Sequence, residues 1–322
     1  MILVTGAAGF IGSILLRDLN EKLGRKDIII VDRIDDNNKL NLKKAQYEMA
    51  IDADDLFSDK YEELLGQVSA IFHMGACSST TERDLEYLEK NNVQYSKNLF
   101  ELSLKNDCPF IYASSAATYG DGDRGYNDES INDLKPLNPY GDSKQAFDLW
   151  MLSRKSYPKK WVGLKFFNVY GPNEYHKQEM RSLVHKAFGQ VEENGLVNLF
   201  KSYKEDFEDG KQLRDFVYVK DVSQAMITFF KENNWENGIY NLGTGEARSF
   251  YDLVSAVFKA QEKEVNIKFI EMPESIKNQY QYFTKANMSK FFKAFPNFKF
   301  SSIEEGVADY VSKHLQGTDK YY

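Results

Sequence analysis

Cysteine is nearly absent from this 322-residue chain, with Cys77 and Cys108 the only two. That is too few for the disulfide framework of a small secreted domain, so reduced thiols in a cytoplasm are expected. Histidine is almost as sparse. His73, His176, His185 and His314 show neither an H-E-x-x-H pattern nor a Cys/His knuckle spacing, and no metal is expected. Proline occurs 7 times, too rarely for a proline-rich or collagen-like chain, while 42% hydrophobic and 14% aromatic residues supply a core. Long apolar runs are missing as well: no stretch reaches the ~18 residues of a membrane helix. The opening MILVTGAAGF has no basic segment and places a glycine turn where a signal peptide would continue. A soluble protein that is not exported is the expectation. Finally, 41 Lys+Arg against 48 Asp+Glu leave a net charge of −7 without a long basic run, which argues against nucleic acid or an anionic membrane as the main partner.

What is present is alternation. Near-continuous apolar runs (MILVT, IIIVD at 28–32, AIFHMGA at 70–76, FIYASS at 110–115, WVGLKFFNVYG at 161–171) are separated by amphipathic stretches from about Gly12, near 60, at 84–105 and from Tyr140. Strands buried on both faces between helices predict an α/β fold with a doubly wound parallel sheet. Beyond Pro172 the rhythm loosens, with a charged segment at 201–215, a short run at 238–245 and a helix at about 301–315. Residues 1–170 with about 214–247 are expected to form a dinucleotide-binding unit, and about 171–213 with 248–322 a smaller substrate lobe.

Gly6, Gly9 and Gly12 follow the first strand and open a helix. Glycine there allows a tight turn and close approach to a pyrophosphate, which the free amides and dipole of the helix would hold. A ligand-free turn could use the same residues. Asp32, twenty residues on, stands where a carboxylate binds the adenosine ribose. That carboxylate argues for NAD, whereas Arg33 and Lys39 offer cations for the extra phosphate of NADP; NADP is the preferred expectation, with NAD open. Tyr140 and Lys144 lie one helical turn apart on one face. The ordinary phenol pKa of ~10 is too high for a base at neutral pH, and a neighbouring ammonium with a cationic nicotinamide would lower it. Ser115 ends an apolar strand, where a parallel sheet sets its active edge.

These motifs, with SSAATYG, YGDSK and FFNVYGP, resemble the extended short-chain dehydrogenase/reductase superfamily, of Rossmann fold, over essentially the whole chain. HMGACSSTTERD (73–84), NNVQYSKNLF (91–100), NVYGPNEYHK (168–177), RDFVYVKDV (214–222) and YNLGTGEARSF (240–250) are similar to one family within it, the ADP-L-glycero-D-manno-heptose 6-epimerases. The resemblance implies a homo-oligomer, a pentamer among its forms, acting on an ADP-heptose. It also implies two acid/base residues, Tyr140 and Lys177, with Lys144 holding the nicotinamide ribose and Ser115 the reacting oxygen. It assigns Phe10, Ile11, Met74, Gly75, Ala76, Cys77, Ser78, Asn91, Val169 and also Lys177 to the cofactor, and Asn168, Glu179, Lys186, Phe200, Lys201, Ser202, Tyr203, Arg214 and Tyr280 to the substrate. Read without it, Lys177 is a loop lysine on a phosphate or water, and Arg214 a partner of Asp215 or Glu208.

The chain departs from the family in reading HKQEM where H-K-G-S-M is usual, which puts Glu179 in place of a serine, and Lys186 stands where histidine is expected. Ala116 and Ala117 occupy the positions where a dehydratase would need an Asp-Glu pair, so elimination is disfavoured. A UDP-sugar 4-epimerase is the nearest enzymatic alternative, and a non-catalytic dinucleotide sensor the alternative of another class.

Overall fold

Ile2–Thr5 and Ile28–Val31 carry no polar alternation, so both of their faces must be covered. In the computed structural model, which describes residues 1–277 and 280–322, each of these residues is buried. The strands are β1 (Ile2–Thr5), β2 (Ile28–Val31), β3 (Met49–Ile51), β4 (Ala70–His73), β5 (Phe110–Ser115), β6 (Trp161–Phe166), β7 (Asn168–Tyr170), β8 (Val197–Phe200), β9 (Leu213–Tyr218), β10 (Gly238–Leu242), β11 (Ala247–Ser249) and β12 (Ile267–Ile270). Seven of them form one parallel sheet in the order β10-β6-β5-β4-β1-β2-β3. Strand order reverses between β1 and β4, and an open α/β sheet leaves a crevice for ligands at the carboxyl ends of the strands there.

A second apolar cluster joins Val184, Val191, Phe216, Val254, Val257, Val307 and Tyr310 and reaches Phe10 and Ile14 of the first helix. It lies around two small sheets, β11-β9-β7 and β12-β8. Its helices at Phe250–Ala260 and Ile303–Tyr310 each begin in a capping box, Ser249 with Asp252 and Ser302 with Glu305, which satisfies amides a helix start otherwise leaves open.

Three local expectations are corrected, and one strand goes beyond them. The apolar run 161–171 is two strands: at Phe167, whose N–H donates to Leu242 O (3.1 Å) while Val169 N–H donates back to Phe167 O (2.9 Å), the chain leaves the large sheet, and β7 pairs with β9. The helix at 84–105 is α-helical at Leu85–Leu88 and Tyr95–Asn106, with a π-helical stretch Glu89–Gln94 between them. The first helix begins at Phe10, ahead of Gly12. Strand β3 was not legible, because only Ile51 of its three residues is buried. Among the described residues no helix is long and apolar enough to cross a membrane.

Two glycines separate packing from propensity. A Cβ on Gly12 would stand 2.0 Å from Gly6 O, whereas one on Gly189, within the helix Leu183–Asn194, meets nothing within 4 Å. Gly12→Ala is expected to destabilise the fold by about 1–3 kcal/mol and Gly189→Ala to stabilise it by about 0.5–1 kcal/mol, measured by urea unfolding; equal shifts would contradict the close approach.

Candidate active site

The helix Phe10–Leu23 starts without a side-chain cap, with Gly9 extended at its N-cap. Its leading amides and the positive end of its dipole are left for a ligand. Gly6 sits at φ +66°, and a Cβ there would stand 2.5 Å from Gly75 N. Glycine at this point therefore lets the turn lie against the 74–78 segment. Between them is a cavity of about 370 Å³ lined by Gly6, Gly9, Phe10, Ile11, Gly12, Asp32, Met74, Gly75, Ala76 and Ser78. Free amides, a dipole and a cradle that side chains would fill are a donor set and a space that fit a pyrophosphate.

Asp32 Oδ2 accepts from Ala8 N (2.8 Å) and Oδ1 from Arg33 N (2.8 Å), so the carboxylate fastens the end of β2 to the glycine turn. Burial raises its pKa, and these amides oppose the rise. Asp32 and Arg33 line a smaller cavity of about 100 Å³ with Gly75, Ala76, Cys77, Asn91, Tyr87 and Tyr95. The Arg33 guanidinium is held by Asp54 (3.0 and 2.8 Å) and by Asn91 Oδ1 (2.9 Å). Lys39 does not join it: its ammonium pairs with Asp36 (2.5 Å) and is more than half exposed. Cys77 is fixed through its backbone, its N–H donating to Asn92 Oδ1 (2.8 Å) and its carbonyl accepting from Asn92 Nδ2 (3.0 Å). Asn92 belongs to the π-helical stretch, so that distortion serves the edge of the cavity.

A cleft of about 430 Å³ shares Phe10, Ile11, Met74, Ala76, Ser78 and Lys177 with the phosphate cradle and adds Ser115, Tyr140, Lys144, Asn168 and Val169. Tyr140 and Lys144 come from the helix Pro139–Leu152, capped by Asn138, whose side chain accepts from Gly141 N (2.9 Å). Lys144 Nζ donates to Ala113 O (2.9 Å), and burial lowers its pKa to about 8. Burial raises the Tyr140 phenol, with Ser115 hydrogen bonding acting the other way. Lys177 stands on the opposite segment, 175–180, with Nζ 5.4 Å from the Phe10 ring centre. Burial lowers its pKa and Glu174 opposes that.

Beneath Tyr140 and Lys144 lies a buried carboxylate that the sequence reading missed. Asp148 Oδ1 accepts from Tyr112 OH (2.9 Å), and Oδ2 accepts from Ser114 Oγ (2.6 Å) and Lys165 Nζ (2.6 Å). Lys165 also donates to Thr118 Oγ1 (2.7 Å), whose hydroxyl donates to Ser115 O (2.8 Å). Helix, β5, β6 and the Ser115 turn are thus tied to one ion pair with no exposure on either side chain. Its signals were present: a lone lysine inside WVGLKFF, and an aspartate four residues after Lys144.

The substrate residues divide. Asn168 lines the cleft. Glu179 and Lys186 do not enter its lining: the glutamate side chain is 93% exposed, and Lys186 donates to Glu179 O and lies 3.4 Å from its carboxylate. Phe200, Lys201, Ser202 and Tyr203 belong to the β8–β12 side, where Lys201 pairs with Glu271 (2.6 Å), Tyr203 OH donates to Glu271, and Ser202 N–H donates to Asp209 (2.7 Å). The Phe200 and Tyr280 rings meet edge to face at 6.4 Å. Arg214 is buried between the rings of Phe250, which lines the cleft, and Tyr280, 5.4 Å from each. It donates to Leu213 O (2.9 Å) and Gln281 O. The simpler pairing with Asp215 or Glu208 is overturned. Adjacent strand residues face opposite sides, and Asp215 instead accepts from Thr244 and Gly245 (2.7–2.9 Å) and from Ala286 (3.0 Å).

With this geometry established, the model of the NAD dependent epimerase/dehydratase family matches residues 2–243. The chain belongs to that family. It is 49% identical to the ADP-L-glycero-D-manno-heptose-6-epimerase of Fusobacterium nucleatum, with 100% of both chains covered. Among solved structures it is similar to the Helicobacter pylori ADP-L-glycero-D-manno-heptose-6-epimerase (TM-score 0.81, 30% identity, 96% and 94% of the two chains). It is also similar to the UDP-N-acetylglucosamine 4-epimerase of Methanobrevibacter ruminantium (TM-score 0.80, 26% identity, 96% of each). For this family member the buried ion pair gives a direct test. Lys165→Met alone leaves Asp148 uncompensated and is expected to cost about 3–5 kcal/mol in chemical denaturation, while adding Asp148→Leu recovers most of the loss. A single variant as stable as the parent would contradict the pairing.

Proposed function

We propose that this protein is an isomerase that inverts C6 of ADP-D-glycero-D-manno-heptose to give the L-glycero epimer, for the heptose of a lipopolysaccharide core. The observation that carries the reading is that Ser115, Tyr140 and Lys177 line one cleft continuous with the glycine-turn cradle, in a chain 49% identical to a full-length relative of that name. The C6–H bond has no neighbouring carbonyl to acidify it, so inversion needs oxidation at C6 rather than proton removal. A bound nicotinamide dinucleotide supplies reversible hydride transfer. The protein's own groups manage protons and orientation. Ser115 holds the reacting oxygen. One of Tyr140 and Lys177 takes the hydroxyl proton as the C6 ketone forms, and after rotation about the C5–C6 bond the other gives a proton to the carbonyl oxygen as the opposite face of C6 is reduced.

Lys144 is assigned to the nicotinamide ribose. Phe10, Ile11, Met74 to Ser78, Asn91 and Val169 are assigned to the rest of the cofactor, and Asn168 to the substrate. Arg214 offers a buried guanidinium for the diphosphate. Of the two dinucleotides we propose NADP. Its phosphate dianion would draw Arg33 from Asp54, because an exposed ion pair of that kind contributes only about 0–1 kcal/mol. The protein is placed in the cytoplasm as a homo-oligomer. A UDP-sugar 4-epimerase is the second reading, favoured by the similarity to the M. ruminantium enzyme.

Incubation with each ADP-heptose epimer, followed by NMR at C6, should show interconversion with a deuterium label retained at that carbon; conversion of UDP-sugars alone would move the assignment to the second reading. Tyr140→Phe and Lys177→Met should each lose at least ~100-fold in kcat while remaining folded, and a near-normal rate removes that residue from the mechanism. Replacing Arg33 and Lys39 with alanine should weaken NADP binding well beyond NAD binding by calorimetry. Equal weakening would refute the phosphate assignment.

A further inference from the structure

Lys177 stands on a short segment that is fastened at both ends. At its start, Asn173 is fully buried at φ +71°. Its Nδ2 donates to Ser13 Oγ (3.0 Å), and its carbonyl accepts from Asn41 Nδ2 (3.1 Å), which also donates to Ala8 O of the glycine turn (2.9 Å). Glu174, 1% exposed, closes the segment. One of its carboxylate oxygens accepts from Ser182 N (2.5 Å), the other from Ser182 Oγ (2.6 Å). Ser182 is the N-cap of the next helix. Glu174 O also accepts from Lys177 N (3.0 Å).

Inside this loop Gln178 is held at φ 48°, ψ −119°, a region that residues with side chains rarely adopt and that persists only where the surroundings impose it. Burial raises the pKa of Glu174, and its hydrogen bonds with Ser182 and the charge of Lys177 oppose that rise. The titratable groups around it are Tyr175 and Lys177 on its own segment and Tyr310 on the helix Ile303–Tyr310. Of these only Lys177 is cationic.

We propose that Glu174 is a positioning residue for Lys177: its buried carboxylate clamps the two ends of the 174–182 loop, while Asn173 and Asn41 register that loop against the cofactor turn. The proposal rests on Lys177 as an acid/base for its catalytic meaning, but not for its physical content. The Coulombic pull of Glu174 on Lys177 supports it. A negative charge favours the protonated lysine, so its removal makes Lys177 easier to deprotonate.

The test compares wild type, Glu174→Gln and Ser182→Ala. Lys177 is followed by ¹³C NMR titration of the reductively methylated protein, its resonance identified by its loss in Lys177→Arg. Turnover of ADP-heptose is measured against pH in parallel. In Glu174→Gln the Lys177 pKa should fall by roughly one unit, and the corresponding limb of the kcat profile should move the same way with KM within about twofold. A folded variant with an unmoved Lys177 titration overturns the proposal. Ser182→Ala keeps the charge and removes one clamp bond. It should lower kcat about tenfold without shifting the Lys177 titration, and a wild-type kcat overturns the clamp even if Glu174→Gln fails to fold. Should the wild type turn over no ADP-heptose, the proposed function fails, and the titration alone decides whether Glu174 governs Lys177.

Discussion

The carboxylate of Asp148 has no access to water, and three elements meet on it. It accepts from Tyr112 and Ser114 on β5 and from Lys165 on β6, and it belongs to the helix that presents Tyr140 and Lys144. A buried ion pair offers little net stability over well-packed apolar residues, but it leaves few alternative arrangements for the groups around it. Here the groups so constrained are the strand end that carries Ser115 and the carbonyl of Ala113 that receives Lys144. The cleft inherits its geometry from a charge pair beneath it.

A comparable anchor fixes the opposite wall. Asn41 and Asn173 tie the Lys177 segment to the glycine turn, and Glu174 ties it to the following helix. Tyr140 and Lys177, on two walls, are thereby held relative to the same glycine-turn cradle. Such placement matters more than propensity for the chemistry proposed above, because groups that act on one carbon must keep their positions while a substrate rotates. The surface cations Arg33 and Lys39 are different in kind. Both sit in exposed ion pairs, which solvent and ligands can exchange at little cost.

Much of the fold was legible because parallel strands buried on two faces must be written as unbroken apolar runs, and IIIV and FIYASS are written so. The glycine turn was legible for a related reason: only glycine tolerates the φ of Gly6 beside Gly75. Tyr140, Lys144 and Ser115 were found by spacing within one helix and by position at a strand end. The break at Phe167 was not legible, because both halves of WVGLKFFNVYG are equally apolar, and what separates them is their choice of partner strand. The surroundings of Arg214 and of residues 200–203 were not legible either: the fold sets the guanidinium between Phe250 and Tyr280 and the other residues along β8–β12.

The amino-acid sequence alone determined the doubly wound sheet, the dinucleotide turn and the tyrosine–lysine pair, since each depends on local periodicity or on residues within one turn of helix. Only the tertiary structure decided which charges are buried together and which segments are clamped. Asp148 with Lys165, Glu174 with Ser182 and Asn41 with Asn173 are contacts between separate elements, and the energy of a polar group depends on who else is in the low-dielectric interior with it.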